Sequence, residues 1–405
     1  MIERSHNSFD FLVIGAGPAG ATAALLLARA GRSVAIVEKA SFPRRKVCGE
    51  YLSATTLDLF GRLGLLDDFA KMAGPEISRV GIFADTNILL APMPKTKPPQ
   101  SRWGRALRRD VLDEWLLGRA VEAGATVFQP WAVTAITKQD KDSVVRLESK
   151  ETGDLIEITS GGVIAAHGSW EIGQLATQAK KQKPDSRDLL GFKAHFRNTE
   201  LPPDLMPMLV FPGGYGGMAS CDEGFVSLSC CVERETLQEI RRRSPNKKAG
   251  DAVHEHILET TKGVRDAISK ADLCGEWLSA GPIRPGFRDR YKDGVFIAGN
   301  AAGESHPIIA EGISMAIQSS WLLTERLLQV PKLTFDEAAK AYDRDWLAAF
   351  GPRIKAANVF AYLALNNRGH AAMSAALRKF PSLLTAGARL SGKVNRIVVD
   401  QAVAK

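Results

Sequence analysis

The chain opens with a regular change from strand-like to helix-like patterning. Residues 11–14 form a short apolar run, residues 15–20 are rich in glycine, and residues 21–30 carry the alanine and leucine pattern of a helix ended by Gly31. Residues 33–38 then have the pattern of a second strand. This order predicts a β-α-β unit, in which two parallel strands are joined by a right-handed crossover.

The rest of the chain continues these patterns without an internal repeat. Residues 91–99 contain four prolines, so we expect no regular structure there and place a crossing between domains nearby. Residues 191–231 are strand-like, with a turn inside 209–217, and predict a second sheet. The remaining predicted elements are a helix over 109–124, paired strands over 144–147 and 155–159, a separate short strand over 162–166, a buried strand over 295–298, a helix over 312–328 and mainly helical structure over 335–390.

Composition narrows the class of protein. A chain of 405 residues that is 45% hydrophobic and 24% charged can bury the cores of roughly two to three domains. No apolar run approaches the ~20 residues of a membrane span, and the first strand begins too early for a signal segment. We therefore expect no transmembrane helix and a cytoplasmic location.

Charge and cysteine content say less about the class of protein than length and hydrophobic content do. The net charge of +8 fits nucleic acid, an anionic membrane surface or an anionic cofactor, but no nucleic-acid recognition motif accompanies it. We expect no nucleic-acid partner, and peripheral membrane contact stays open. The five cysteines lack the spacing of a disulfide framework or a metal site, so neither is expected. The oligomeric state does not follow from the sequence.

The glycine-rich turn is the first motif with chemical meaning. In Gly15-Ala-Gly17-Pro-Ala19-Gly20, the first glycine permits a tight turn, the second lets the backbone approach a pyrophosphate, and the third lets the helix pack on its strand. The pyrophosphate would lie at the helix N-terminus, where backbone N–H groups and the helix dipole bind anions. Glu38 ends the second strand, where a carboxylate accepts hydrogen bonds from a ribose. Together these features predict a dinucleotide site.

A second motif lies near residue 300. The run Gly294-Val-Phe-Ile-Ala-Gly299-Asn300 is an apolar strand ending in a turn, and Pro307-Ile-Ile-Ala-Glu-Gly312-Ile313 follows it. With these segments the chain resembles the flavoprotein family that includes para-hydroxybenzoate hydroxylase, the flavin-dependent halogenases and the geranylgeranyl reductases, the last most closely. In that family a Gly-Asp pair binds the ribityl chain, and a Pro-x-x-Gly-x-Gly segment brings backbone amides to the flavin.

Two further segments extend the resemblance over residues 10–325. Arg109-x-x-Leu-Asp113 matches an Arg-x-x-Leu-Asp pattern at the start of a helix, and Lys46-Val-Cys48-Gly49-Glu50 matches the Lys-x-Cys-Gly of the reductase branch. The last eighty or so residues match no pattern of the family. A halogenase is disfavoured because the Trp-x-Trp-x-Ile-Pro signature is absent from the sequence.

The resemblance implies an α/β fold. A Rossmann-like FAD-binding domain with a parallel sheet would consist of residues 1–75, 105–185 and 280–330. An inserted antiparallel-sheet substrate domain would consist of residues 76–104 and 186–279, followed by a helical C-terminus over 331–405. It also implies non-covalently bound FAD and NAD(P)H as a transient electron donor, because the sequence contains no second dinucleotide fingerprint.

At two positions this chain lacks an acidic residue that the family has. Asn300 replaces the aspartate of the Gly-Asp pair, and an amide still donates to and accepts from a ribityl hydroxyl. His167 replaces the aspartate of an Ala-Asp-Gly motif, and it either contacts the pyrophosphate or fills a turn. The expected cofactor contacts are Gly15, Gly17, Ala19, Gly20, Glu38, Lys39, Arg45, Cys48, Arg109, His167, Gly168, Gly299, Asn300, Pro307, Gly312 and Ile313. Arg44, like Arg45, is expected to contact the adenosine or pyrophosphate rather than to lie on a solvated face.

Cys48 and His306 are the candidate catalytic residues. Cys48 would line the cavity between flavin and substrate, although a plain core role and a covalent flavin bond are alternatives. His306 precedes Pro307 and would either face the flavin or lie in an ordinary loop.

Three functions remain open at this point. The first is a monooxygenase acting on a hydrophobic small molecule, aromatic or polyketide-like, and it is favoured because the reductase branch's Tyr-x-Trp-x-Phe-Pro signature survives only as Met208-Leu-Val-Phe211-Pro212. The second is a geranylgeranyl reductase-type enzyme that reduces carbon–carbon double bonds. The third is a flavin-binding protein without turnover.

Overall fold

The computed structural model describes residues 7–96, 102–330 and 332–394. Its strands, in chain order, are β1 Ser8–Ile14, β2 Val34–Val37, β3 Tyr51–Leu52, β4 Arg79–Ala84, β5 Asn87–Pro92, β6 Arg105–Ala106, β7 Thr126–Phe128, β8 Trp131–Gln139, β9 Asp142–Ser149, β10 Leu155–Ala165, β11 Leu189–Arg197, β12 Leu205–Phe211, β13 Gly214–Ser220, β14 Val226–Glu233, β15 Asp272–Ile283, β16 Gly286–Phe287, β17 Tyr291–Lys292, β18 Val295–Ile297 and β19 Gly303–Glu304. Its helices are α1 Pro18–Arg29, α2 Ala54–Arg62, α3 Leu66–Met72, α4 Arg109–Glu122, α5 Arg234–Arg243, α6 Ala249–Thr260, α7 Lys262–Ile268, α8 Gly312–Leu327, α9 Phe335–Leu365, α10 Asn367–Lys379 and α11 Ser382–Leu390.

The first sheet is mainly parallel and contains the predicted β-α-β unit. Its strand order is β17-β18-β10-β1-β2-β7, and β1 runs parallel to both β2 and β10. Every residue of β2 and the last four of β1 are buried, because helices cover parallel sheets on both faces. Helix α1 joins β1 to β2 and packs against α4 and α8. The carboxyl ends of β1, β2 and β10 therefore meet at one edge, where dinucleotides bind in such sheets.

The second sheet is antiparallel apart from one strand pair. Its order is β15-β11-β14-β13-β12-β4-β5, and only β12 and β4 are parallel. On β11, Phe192, Ala194 and Phe196 belong to the core beneath α6 and α7. Because side chains alternate along a strand, Lys193 and His195 face the opposite way, toward the first part of the chain.

The C-terminal part is helical, as predicted, within the described residues. Helix α9 begins with a capping box, in which the Thr334 hydroxyl accepts from the Glu337 N–H and the Glu337 carboxylate accepts from the Thr334 N–H. Helix α11 packs on β4 and β5, and the Thr385 hydroxyl donates to the Pro92 carbonyl at 2.7 Å. This end of the chain is thus attached to the second sheet. No helix in the described ranges is long and apolar enough to cross a membrane.

Several predicted elements need correction. Helix α1 begins at Pro18, inside the glycine motif, because proline is well suited to the first helical turn. The strand predicted over 162–166 is the end of the continuous strand β10, since Gly161 and Gly162 extend it rather than break it. Strand β5 reaches Pro92, because a proline is tolerated at a strand end, so the segment 91–99 is partly regular. Residues 97–101 and 395–405 lie outside the described residues, and the domain boundaries remain a prediction.

Candidate functional site

One large cavity, of about 1000 Å³, is lined by residues of both sheets and of α9, α10 and α11. Most of the predicted cofactor contacts meet there although they are far apart in the sequence. Those that line the cavity are Gly15, Gly17, Ala19, Glu38, Lys39, Cys48, Arg109, His167, Gly168, Asn300, Pro307, Gly312 and Ile313. The sequence motifs thus converge on a single site.

The glycine turn has the close contacts that its motif requires. Gly15 has a φ of +98°, which side chains rarely adopt. A Cβ atom on Gly20 would lie 1.8 Å from the Gly15 carbonyl oxygen, so only glycine allows α1 to pack this closely. A Cβ on Gly17 would meet only the Arg109 and Arg44 guanidinium groups, at 3.8 and 3.9 Å. Gly17 is therefore open toward the cavity, where a ligand would approach its backbone.

A cluster of cations surrounds this turn. Arg109 forms a bidentate pair with Asp113, with both nitrogen–oxygen distances at 2.7 Å, and Arg44 pairs with Glu38 at 3.0 Å. The Nε atom of Arg44 is buried and has no hydrogen-bond partner among the described residues. Burial, with the neighbouring Arg44 and Arg109 charges, lowers the pKa of Lys46 to about 8. An anion bound here would satisfy these groups.

Glu38 lies at the end of β2, as its predicted ribose role requires. Its carboxylate accepts from the Ala16 and Ala40 N–H groups, each at 2.9 Å, as well as from Arg44. These contacts fix the carboxylate at the cavity wall, next to the glycine turn.

A buried polar network lies behind the Lys46–Glu50 segment. The Glu50 carboxylate accepts from the Arg109 N–H at 2.8 Å, from His195 Nε2 at 2.7 Å and from the Lys193 ammonium. Burial alone would raise the pKa of Glu50, but the His195 hydrogen bond and the Lys193 charge lower it to about 2. Glu50 also holds a φ of +63°, an uncommon conformation for a residue with a side chain. The network therefore fixes the cavity-lining segment to β11.

His167 and Cys48 both line the cavity. The two ring nitrogens of His167 are within hydrogen-bond distance of the Gly168 carbonyl, at 2.9 Å, and the Thr177 hydroxyl, at 3.0 Å. Burial lowers the pKa of His167, which favours the neutral ring. These contacts favour the turn role over a charged contact with a pyrophosphate. Cys48 is half-buried and its thiol accepts from the Glu50 N–H at 3.4 Å.

A third group lies along the segment that follows Asn300. The Asn300 amide donates to Glu304 at 3.2 Å, and burial raises the pKa of this glutamate. The hydroxyl of Tyr215, fully buried at the cavity wall, lies 2.9 Å from His306 Nδ1. Burial lowers the pKa of His306 to about 4, so the ring is neutral at pH 7, and its Nδ1 accepts from Tyr215 or donates to it according to the tautomer.

Three predicted cofactor contacts and one predicted catalytic residue do not line the cavity. Arg45 lies beside Gly275, and the neighbouring Arg44 reaches the cavity instead, because its side chain turns toward Glu38. Gly20 and Gly299 lie behind the wall, where each permits close packing. His306 does not line the cavity either, but its ring contacts Tyr215, which does, so it could act through that residue.

Sequence reasoning missed several lining residues. Glu50 was noted only as the last residue of the Lys46–Glu50 motif. Its partners Lys193 and His195 lie two residues apart on β11, on the same face of the strand. Two polar residues inside an otherwise apolar strand could have indicated a buried partner. Tyr215 gave no signal, and neither did the apolar residues that α9, α10 and α11 contribute.

The arrangement fits a dinucleotide flavin. It offers an open helix N-terminus, an unsatisfied arginine nitrogen and a fixed strand-end carboxylate at one end of the cavity. Residues of two short turns, Gly299–Ala301 and Pro307–Ile309, also line the cavity. The site therefore provides both the pyrophosphate contacts and a separate backbone segment for the ring system.

Comparisons with known proteins agree with this geometry. A family model described as "FAD binding domain" matches residues 8–348. Digeranylgeranylglycerophospholipid reductase 2 of Methanopyrus kandleri is 28% identical, with 86% of this chain and 84% of the relative covered. Conditioned medium factor receptor 1 of Dictyostelium discoideum is 25% identical, covering 96% of this chain and 74% of the relative.

Solved structures support the fold. The flavin-dependent brominase Bmp2 superposes with a TM-score of 0.75 over 95% of this chain and 94% of that one, at 19% identity. At that identity the likeness concerns the fold alone, and it confirms the predicted α/β architecture with a helical C-terminus. Since the family model covers most of the chain, the protein belongs to the FAD binding domain family and is an FAD-dependent oxidoreductase.

Proposed function

We propose that this protein reduces carbon–carbon double bonds in a long apolar lipid or isoprenoid chain. The observation that carries the proposal is the shape of the cavity, which continues from the glycine turn into an apolar chamber. That chamber is lined by Met206, Met208, Phe360, Leu363, Leu377 and Leu384. An extended hydrocarbon chain gains most from burial in such a chamber, at about 25 cal/mol per Å² of apolar surface. The Methanopyrus kandleri relative is named as a reductase of a substrate of this kind.

The polar end of the cavity would hold FAD. Gly15, Gly17 and the first turn of α1 would bind its pyrophosphate, with Arg44 and Arg109 beside it, and Glu38 would accept from its ribose. The segment from Asn300 to Ile313 would offer backbone groups to its ring system. When bound, FAD supplies hydride transfer, with NAD(P)H as the source of electrons.

Reduction of a double bond needs a proton as well as a hydride. One carbon receives the hydride, and the adjacent carbon receives a proton. Burial raises the pKa of Tyr215 far above its ordinary value, so its hydroxyl carries a proton at pH 7. We assign Tyr215 as the proton donor. In the tautomer that carries the proton on Nδ1, half-buried His306 would return that proton to Tyr215 through the 2.9 Å contact and take another from solvent at Nε2.

The test is single-turnover reduction without oxygen. The flavin-loaded protein is reduced with NADPH or dithionite and mixed with a detergent-dispersed geranylgeranyl lipid. We expect the yellow absorbance of oxidised flavin to return. The product should gain two hydrogens, and both should be deuterium when the protein is reduced with dithionite in D₂O, because the exchangeable hydrogens of reduced flavin also come from solvent. No reoxidation by any polyunsaturated lipid would disprove the reductase proposal.

The role of Tyr215 has its own test. Tyr215→Phe should lower turnover by about 10²- to 10⁴-fold, the usual range for a lost general acid, while flavin content and flavin reduction stay unchanged. Tyr342→Phe is the matched control, because that tyrosine is equally buried but lies against Ile297 and Ser319, away from the cavity. Equal losses in both variants would show that Tyr215 is only structural.

A monooxygenase is the second candidate. It is supported by the incomplete reductase signature, whose tyrosine and tryptophan positions hold Pro207 and Leu209 here. The adjacent Met206 and Met208 leave the chamber wall flexible and apolar. This function would require oxygen and yield a product heavier by one oxygen atom. The same single-turnover experiment, repeated in air, separates the two.

A further inference from the structure

The apolar end of the cavity opens to solvent between the C-terminal helices. Ala376 on α10 and Ala386, Leu383 and Leu390 on α11 line the cavity, and all four are also exposed. Residues that belong to both the lining and the surface form the rim of an opening. The chamber therefore has a mouth, and the mouth is apolar.

Large apolar side chains cluster around this mouth. Leu390 is 63% exposed and Leu383 is 46% exposed, and their spacing of seven residues places both on one face of α11. Phe380 precedes α11 and is 53% exposed, while Val359 and Tyr362 are 57% and 67% exposed on one face of α9. Single exposed apolar residues are ordinary, but a cluster of this kind marks an interaction surface.

The C-terminal stretch that forms the mouth carries charge of one sign. Residues 346–399 contain no aspartate or glutamate, but they contain eight lysine and arginine residues. Lys355, Arg378, Lys379 and Arg389 are exposed within the described part of this stretch. The basic run Arg241–Arg243 on α5 differs, because that helix also carries glutamates and is strongly polar.

We propose that this face docks on an anionic lipid bilayer and holds the cavity mouth against the membrane. Helix α11 turns Leu384 and Ala388 into the core and Leu383 and Leu390 outward, beside exposed cations and aromatic rings. Exposed apolar side chains flanked by cations and aromatic rings are typical of a surface that lies in a membrane interface. Docking explains how a lipid substrate that is too apolar to dissolve in water could enter the chamber. This explanation rests on the reductase proposal, whereas the docking itself does not.

Vesicle sedimentation tests the docking. The flavin-loaded protein is mixed with vesicles of phosphatidylcholine alone or with phosphatidylglycerol added. We expect binding to the anionic vesicles, weakening as salt is raised. Arg378→Glu combined with Lys379→Glu should weaken binding by at least about fivefold for each cation removed. The control, Arg242→Glu with Arg243→Glu, makes the same charge change on exposed residues of α5 and should have little effect.

The apolar contribution has a matched pair of variants. Tyr362→Ser with Phe380→Ser should weaken binding at high salt, where charge attraction is screened. The control is Leu155→Ser with Leu273→Ser, two side chains that lie away from the mouth and are 64% and 42% exposed. This control should not weaken binding. Absence of binding to anionic vesicles, or equal losses in test and control variants, would overturn the proposal. Flavin absorbance checks the fold of each variant, and membrane binding without lipid reduction would refute only the reductase function.

Discussion

Gly17 and Gly20 offer a way to separate cofactor binding from folding. The two glycines belong to one motif, but their surroundings differ. A Cβ on Gly20 would come within 1.8 Å of the Gly15 carbonyl oxygen, so Gly20→Ala must push α1 away from β1. Such overpacking usually costs about 1–3 kcal/mol of the free energy of unfolding. A Cβ on Gly17 has no protein atom nearer than 3.8 Å, so this position tolerates a side chain in the empty protein.

We therefore expect opposite phenotypes from the two positions. Gly17→Val should fold and melt nearly as the wild-type apoprotein does, but it should lose FAD, because the side chain occupies the space that the pyrophosphate needs. Loss of a single charged hydrogen bond already costs about 1.5–3 kcal/mol, which is roughly 10- to 150-fold in Kd. The assay is flavin fluorescence titration of apoprotein, beside urea unfolding. A Gly17→Val protein that keeps its full yellow colour would refute this placement of the cofactor.

The remaining predictions concern the polar end of the cavity. Glu38→Ala should weaken FAD binding by about 1–3 kcal/mol, as measured by titration, because the ribose loses a charged acceptor. The pKa of Lys46 is lowered to about 8 without ligand, and a bound diphosphate would raise it. FAD affinity should therefore fall as the pH rises above 8, and Lys46→Met should flatten this pH dependence. Cys48→Ala should keep FAD but alter substrate-induced changes in the flavin spectrum, and Cys48→Phe should block the substrate. If acid precipitation left flavin in the wild-type pellet and Cys48→Ala released it, the flavin would be covalently bound.

Local patterns predicted the first sheet well because each of its signals is physically self-contained. The run of apolar residues before Gly15, the glycines and Glu38 each reflect one short-range requirement of a β-α-β unit. The same reasoning misplaced the start of α1 by three residues, because Pro18 is both a turn residue and a favourable first residue of a helix.

The site could be predicted only where its residues belong to local motifs. Glu50 depends on Lys193 and His195, more than 140 residues later, and only the alternation of β11 brings their side chains to the same buried point. The choice of Arg44 over Arg45 depends on which of two adjacent side chains turns toward Glu38. Neither fact follows from spacing, since both are consequences of how the two sheets face each other.

The C-terminal helices illustrate how the distant ends of the site are coupled. Lys393 is buried, and its ammonium donates to the Ile309 carbonyl at 2.8 Å and to the Glu311 carboxylate at 3.1 Å, inside the segment assigned to the flavin ring. Ser53 donates to the same carboxylate at 3.1 Å. Burial lowers the pKa of Lys393, and removing either partner alone would leave an unpaired buried charge, which is more costly than removing both. The region that closes the apolar chamber and forms its mouth is therefore attached directly to the cofactor loop, so the helices around the mouth and the candidate flavin site are parts of one structural unit.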